Sequence, residues 1–470
     1  MKSIFFLVIA GLLRVGEPGA GAAPPIGAAP KWRAPLPEVV PARGPRTLLL
    51  RRSALPLVHI LALVQAGAEV DPIDRPGLSA AVAEMLEEGG AGKRSGSELA
   101  LAIEQLGTRL EVQPHRDGVA FAMTVLADRA APALDLLGEL LTQPRFAEAE
   151  WPRVKERRLA ELKRILDEPR RLGRELFTQA LHGDQHPLGR PRHGTLAGVA
   201  TLTVDDLRRF HSAHYGPATT RLLLAGDLTA AQAKGLVEHA FGDWRSTAAP
   251  PPQVGASANG PRFWVVDRPG APQSMVVVGA VAPGAGEADE PALQLVETAL
   301  GGSFTSRLVQ NLRERHGYTY GVNAGHLAHR GGGELLVASS VRTDVTGPAL
   351  REILSELQGI HKPMAPAELG KARKLIAQGI SDGFADGRGL FGLFLPILAL
   401  DRPIDSLTKL PDQLQAITPL KAAETARRWI TMPALTVVII GDRQAITKQL
   451  EALPEAKRIE IRDVEGRSAK

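Results

Sequence analysis

Arg313 and Tyr320 are the side chains in this sequence best placed to do chemistry together. A guanidinium fork and a phenol are both hydrogen-bond donors, suited to a carbonyl or a developing oxyanion. They can act on one group only if the chain between them turns, and the local pattern predicts that it does. Gly301–Val322, GGSFTSRLVQNLRERHGYTYGV, reads as a helix running directly into a strand. Phe304, Leu308 and Leu312 recur at helical spacing and predict one apolar stripe. Arg307, Arg313 and Arg315 gather toward the end where the helix dipole favours cations, and Gly317 is placed to stop the helix. In the strand that follows, alternation would put Tyr320 and Val322 on one face. Spacing alone also fits an arginine on a solvated helix face and a tyrosine in a sheet.

The pattern GG-x-x-x-SRL-x-x-x-LRE-x-x-G-x-x-Y resembles the C-terminal half of the pitrilysin/insulinase-like (M16) zinc peptidases. In that family the Arg of LRE and the later Tyr hold the substrate peptide. The resemblance therefore implies a substrate-binding role for Arg313 and Tyr320, with weaker support from Ser306, Arg307 and Asn323. It also implies two α+β domains of one LuxS/metallopeptidase-like fold, facing one another across a substrate cavity.

Catalytic members carry H-x-x-E-H on the first long helix: two zinc-binding imidazoles a turn apart, with a general-base glutamate. The matching stretch here is GLSAAVAEML, and the three positions fall on Ala80, Ala83 and Glu84. Both imidazoles and the base are absent, and no histidine lies between His59 and His115 to rescue the register. Glu156 is the nearest candidate for the third ligand and reads as a solvated helix carboxylate. His211 and His214, then His182, His186 and His193, then His326 and His329, read as surface or loop histidines. No metal ligand and no catalytic residue is assigned to this chain. Nucleophile machinery is missing as well, since there is no cysteine, no G-x-S-x-G and no P-loop.

The surrounding elements are organised as a duplication. Pro76 matches Pro291, Asp128 matches Asp344, Thr203 matches Thr418, and Gly226 matches Gly441. The common offset of about 215 residues is too long for a solenoid unit and is the size of a domain. Each copy is expected to be α+β, a mainly antiparallel sheet packed with helices. The chain divides into an apolar, signal-like segment 1–23, a Pro/Gly/Ala-rich lead-in 24–44, a first domain 45–245, a linker 246–260 and a second domain 261–458. Paired strands are expected over Arg46–Gly67, with a turn near Ser53–Pro56, and again over Arg262–Val281. A helix is expected over Ser97–Leu106, capped by Ser97.

With 470 residues, 44% apolar and 23% charged, the composition is that of a folded protein. The net charge of +5 is spread among acids, which disfavours nucleic acid as a partner. The signal-like segment predicts export to the periplasm, and no later segment is apolar for long enough to span a membrane. Together these features predict a non-catalytic, substrate-binding subunit with no cofactor of its own. The zinc is expected in an H-x-x-E-H partner, in a heterodimer or heterotetramer that acts on peptides. The alternatives are a structural or peptide-binding scaffold with no part in proteolysis, and a self-sufficient peptidase with an unrecognised metal site.

Overall fold

Runs such as LLLAG and VVVGAV are apolar on both faces, and strands of that kind must be covered twice. The computed structural model describes residues 32–251, 254–255, 260–453 and 459–469. The segment 1–23 and the expected export signal lie outside them.

The first half has strands β1 (Glu38–Val40), β2 (Arg46–Arg51), β3 (Leu57–Val64), β4 (Glu111–Pro114), β5 (Val119–Leu126) and β6 (Thr220–Gly226). Its helices are α1 (Leu78–Glu88), α2 (Gly96–Glu104), α3 (Ala130–Thr142), α4 (Trp151–Asp167), α5 (Pro169–His182), α6 (Leu196–Thr201), α7 (Val204–His214) and α8 (Ala230–Phe241). In the second half the strands are β7 (Phe263–Asp267), β8 (Gln273–Ala282), β9 (Thr319–His329), β10 (Gly332–Arg342), β11 (Thr436–Gly441) and β12 (Ile459–Arg462). Its helices are α9 (Glu290–Gly301), α10 (Thr346–Gly359), α11 (Pro366–Gly383), α12 (Gly387–Ala399), α13 (Ser406–Ala416), α14 (Pro419–Trp429) and α15 (Arg443–Glu451).

The two six-stranded sheets run β1-β2-β6-β3-β5-β4 and β12-β7-β11-β8-β10-β9, so the duplicated order is the same apart from one edge strand. Both sheets are mixed, with β2 parallel to β6 and β7 parallel to β11 and β12. The duplication reaches the caps: Thr203 and Thr418 each accept the backbone N–H three residues on. The strands expected to pair directly, β2 with β3 and β7 with β8, are separated by β6 and β11. The α2 cap is also two residues earlier than expected. Ser95, not Ser97, caps it, because Glu98 can close a reciprocal capping box with Ser95.

The halves do not face one another across open space, which corrects that expectation. They exchange equivalent helices. Helix α5 of the first half lays Leu172, Leu176 and Phe177 on Trp264, Val277 and Ile440 of the second sheet. Helix α12 of the second half puts Leu390, Phe394 and Ile397 into one buried cluster with Leu48, Leu61 and Leu223 of the first sheet. Each sheet thus gets its second cover from the other half. Polar contacts add to the seam: His329 Nδ1 lies 2.8 Å from Asp117 Oδ2, and Arg330 Nε donates to Glu69 Oε1 at 3.1 Å. Gln65 Nε2 donates to Ala399 O at 3.2 Å, and Thr178 Oγ1 donates to Glu334 Oε2 at 2.9 Å.

Candidate functional site

Helix α9 ends at Gly301, so the helix predicted from that residue starts later. After a turn it re-forms as a π-helical segment, Val309–Arg315. Leu308 and Leu312 are buried as predicted, but Phe304 sits in the turn and is 79% exposed. Arg307 is not available to a substrate. Its Nε and Nη2 donate to Glu368 at 2.6 and 2.9 Å, tying the turn to α11. Ser306 is buried.

The wide turn directs Arg313 outward, where its guanidinium carbon stacks 5.5 Å from the Phe304 ring centroid. Gly317, at φ +60, ends the segment as predicted. Tyr318 N then donates to Leu312 O at 2.8 Å and Gly317 N to Arg313 O at 3.1 Å, stitching the helix end to the start of β9.

Tyr320 does not share a face with Val322. Val322 pairs with Ser339 and Thr319 with Val341, so Tyr320 and Gly321 together oppose Ser340. That bulge breaks the alternation. Thr319 holds it in place, accepting from Gly321 N at 3.1 Å and donating to Ser340 O at 2.7 Å. Tyr320 is consequently 91% exposed while Val322 is buried. Among the described residues no side-chain hydrogen bond or ring contact engages Tyr320. Both donors thus face solvent near the start of β9, an edge strand, and are not bonded to each other.

Asn323 lies on this strand and links it to the first half. With its amide turned so that Nδ2 donates to Ala338 O, it accepts from Arg174 Nη2, both at 3.2 Å. Arg174 was not found by sequence reasoning, because it lies on α5, more than a hundred residues away.

The degenerate motif sits on α1. The N-cap Gly77 is left-handed at φ +91, and a Cβ there would lie 2.7 Å from Gly194 Cα. Asp71 caps the helix from a distance, accepting from Gly77 N at 2.7 Å and Ser79 N at 2.8 Å. Ala80 and Ala83 are fully buried methyl groups with no donor atom to offer a metal. Glu84 Oε1 accepts from Arg158 Nη1 at 2.9 Å, and Arg158 Nη2 also donates to His193 O. Burial raises the Glu84 pKa, and Arg158 partly offsets it.

A buried guanidinium beside Glu84 supplies positive charge where a zinc site needs ligand electrons. The residues present do not fit the metal. Glu156 is exposed on α4, as expected, and the α4 carboxylate whose field reaches Glu84 is Glu161. Among the described residues no group of three or more His, Asp or Glu side chains is arranged to hold a metal ion.

The histidines bond to protein groups, yet the surface reading of several of them needs correction. His211 is half-buried, its Nε2 lying 3.0 Å from Leu141 O, and desolvation lowers its pKa to about 4. His326 Nε2 lies 2.8 Å from Pro283 O, and its pKa too is lowered by burial. His329 is buried in the seam, where Asp117 outweighs desolvation and raises its pKa. His211 is covered by Leu141, Phe146 and Tyr215 of its own half and His326 is held by Pro283 of its own, whereas His329 closes β9 and is buried where the halves meet.

Two family models match the chain: insulinase (peptidase family M16) over residues 48–195, and peptidase M16 inactive domain over 201–376. An uncharacterized zinc protease from Mycobacterium tuberculosis is 28% identical over 298 residues, covering 62% of this chain and 68% of the relative. One from Streptomyces coelicolor is 31% identical over 243 residues, covering 50% and 52%. Among solved structures, a peptidase M16 inactive domain from Pseudomonas fluorescens superposes with a TM-score of 0.79 at 21% identity, covering 86% of this chain and 98% of that one. A protease from Helicobacter pylori superposes at 0.81 with 17% identity, covering 87% and 100%. No helix among the described residues is long and apolar enough to cross a membrane.

Proposed function

Because the chain belongs to the M16 peptidase family, we propose that it is a non-catalytic, substrate-binding subunit of a heteromeric zinc peptidase. One contrast carries this reading. The positions of the zinc motif hold two buried methyl groups and a carboxylate committed to Arg158, whereas Arg313 and Tyr320 present exposed donors beside an edge strand. The halves pack directly on each other, so the cavity that holds a peptide is completed by another chain, one bearing an intact H-x-x-E-H. An extended peptide adds to the β9 edge, and Arg313 and Tyr320 hydrogen-bond its carbonyl groups near the bond to be cut.

The test is reconstitution of the full chain with an H-x-x-E-H partner and a peptide substrate. The pair is expected to cleave about tenfold faster or more than the partner alone, with Arg313→Ala removing most of the gain. Full activity of the partner by itself, or a gain that ignores Arg313, would refute the reading. The scaffold alternative has two observations on its side, the Phe304 stacking and the Glu314 carboxylate 3.5 Å from Arg313 Nε, which give Arg313 resting partners. It predicts a complex whose activity is indifferent to both Arg313 and Tyr320.

A further inference from the structure

At the other end of β9 lies a cavity of about 620 Å³, walled by α9, α12, α13 and the strand itself. Leu393, Ile397, Leu407 and Leu410 make most of its lining apolar. In the first half the connection between α5 and α6, residues 183–195, folds over the start of α1, bringing Gly194 against Gly77. The corresponding connection between α12 and α13 is only residues 400–405, and it meets the start of α9 through the ion pair of Arg402 with Glu290.

Two residues of the lining have a buried polar atom without a hydrogen-bond partner among the described residues: Arg402 at Nε, although its Nη2 pairs with Glu290, and Glu297, whose carboxyl meets no cation. Glu297 on α9 has its Oε2 sealed from solvent without a hydrogen-bond partner among the described residues. Burial pushes this carboxyl up to about 8, with Glu290 adding to the shift and the His326 backbone amide opposing it. The neighbouring charges are already committed. Glu290 pairs with Arg402 at 2.6 Å, Asp405 pairs with Lys409 at 2.5 Å, and Glu287 accepts from Gly284 N at 2.8 Å. His326 is held on Pro283 O. An uncompensated carboxyl in an apolar cavity matches a long alkyl stem ending in a cation.

We propose that this cavity receives the basic side chain, lysine or arginine, of an extended peptide laid along the β9 edge. His326 is six positions beyond Tyr320, about 20 Å along a strand. A peptide residue opposite His326 points its side chain to the same face of the sheet, the face that α9 covers. Because the His326 amide is directed at Glu297, strand pairing ends at that point and the residue arriving there is delivered to the cavity. The peptide's path rests on the peptide-holding reading above; the chemistry of the cavity does not. On entry of an ammonium group, the Glu297 carboxylic acid loses its proton to solvent and the resulting carboxylate pairs with the cation.

Two experiments on the full chain test this. In the first, n-hexylammonium is titrated calorimetrically at pH 7 in buffers of different ionisation enthalpy. Binding is expected with release of about one proton, and Glu297→Gln, with an unchanged Tm and circular dichroism spectrum, abolishes the release and weakens binding about tenfold. Binding that ignores Glu297, or none, overturns the proposal whatever Arg313 does. In the second, decapeptides carry lysine or norleucine at each position in turn. One register is expected to favour lysine about tenfold, a preference lost in Glu297→Gln and kept in Arg313→Ala, which weakens both peptides alike. Equal binding of lysine and norleucine peptides, still weakened by Arg313→Ala, overturns the cavity proposal and leaves the peptide grip standing. Hexylammonium binding with no peptide binding overturns a peptide as the occupant.

Discussion

Arg158 shows at the scale of single residues what is paired with the third position of the zinc motif in the first half. It is buried, with Nη1 donating to Glu84 and Nη2 to the His193 carbonyl, so the third position of the motif is committed to a buried ion pair. Removing one partner of such a pair leaves a charge stranded in the interior. Glu84→Ala is therefore expected to destabilise the chain by about 3 kcal/mol, read as a lower denaturant midpoint. An unchanged midpoint would mean that Arg158 finds other compensation. Ala80, Ala83, Arg313 and Tyr320 were legible in the sequence because their identities sit in short local patterns. Arg158 and Arg174 were not, since their partners are brought in by α4 and α5 from far along the chain. The face of Tyr320 was also illegible: it depends on a bulge opposite Ser340, and pairing register is not a local property.

At the scale of elements, the exchanged helices explain why both sheets are apolar on both sides. The strands and most helices could be read from periodicity to within a few residues, but where α5 and α12 would dock could not. An amphipathic stripe says that a helix needs a partner without saying which one. Phe177 is the central side chain of the α5 contact, packed so closely on Gly279 that a Cβ there would sit 2.7 Å from its ring. Phe177→Ala is expected to cost about 3–5 kcal/mol. Because α5 belongs to the first half and its floor to the second, the loss should appear as one cooperative transition moved to lower temperature. Loss of the second half's transition alone, with the first untouched, would contradict the exchange.

For the molecule as a whole, the duplication was legible because four anchors share one offset, and the identical core strand order confirms two domains of one fold. Their arrangement was not legible, since it depends on seam contacts such as His329 with Asp117 that no local pattern announces. The exchange predicts that the halves stay together without their covalent link. A protease site inserted between the exposed residues Ala249 and Pro250 should, after cleavage, give two fragments that still elute as one species. Separation into two folded domains would show that the seam is weak.

The central claim is that this chain holds a peptide but cannot by itself supply the metal chemistry that cuts it. The most direct check measures zinc content and peptide cleavage together on the full chain purified alone, after equilibration with zinc and gel filtration. The account predicts zinc far below one equivalent and no cleavage above the buffer control. One equivalent of retained zinc together with turnover, both surviving Glu84→Ala, would contradict it.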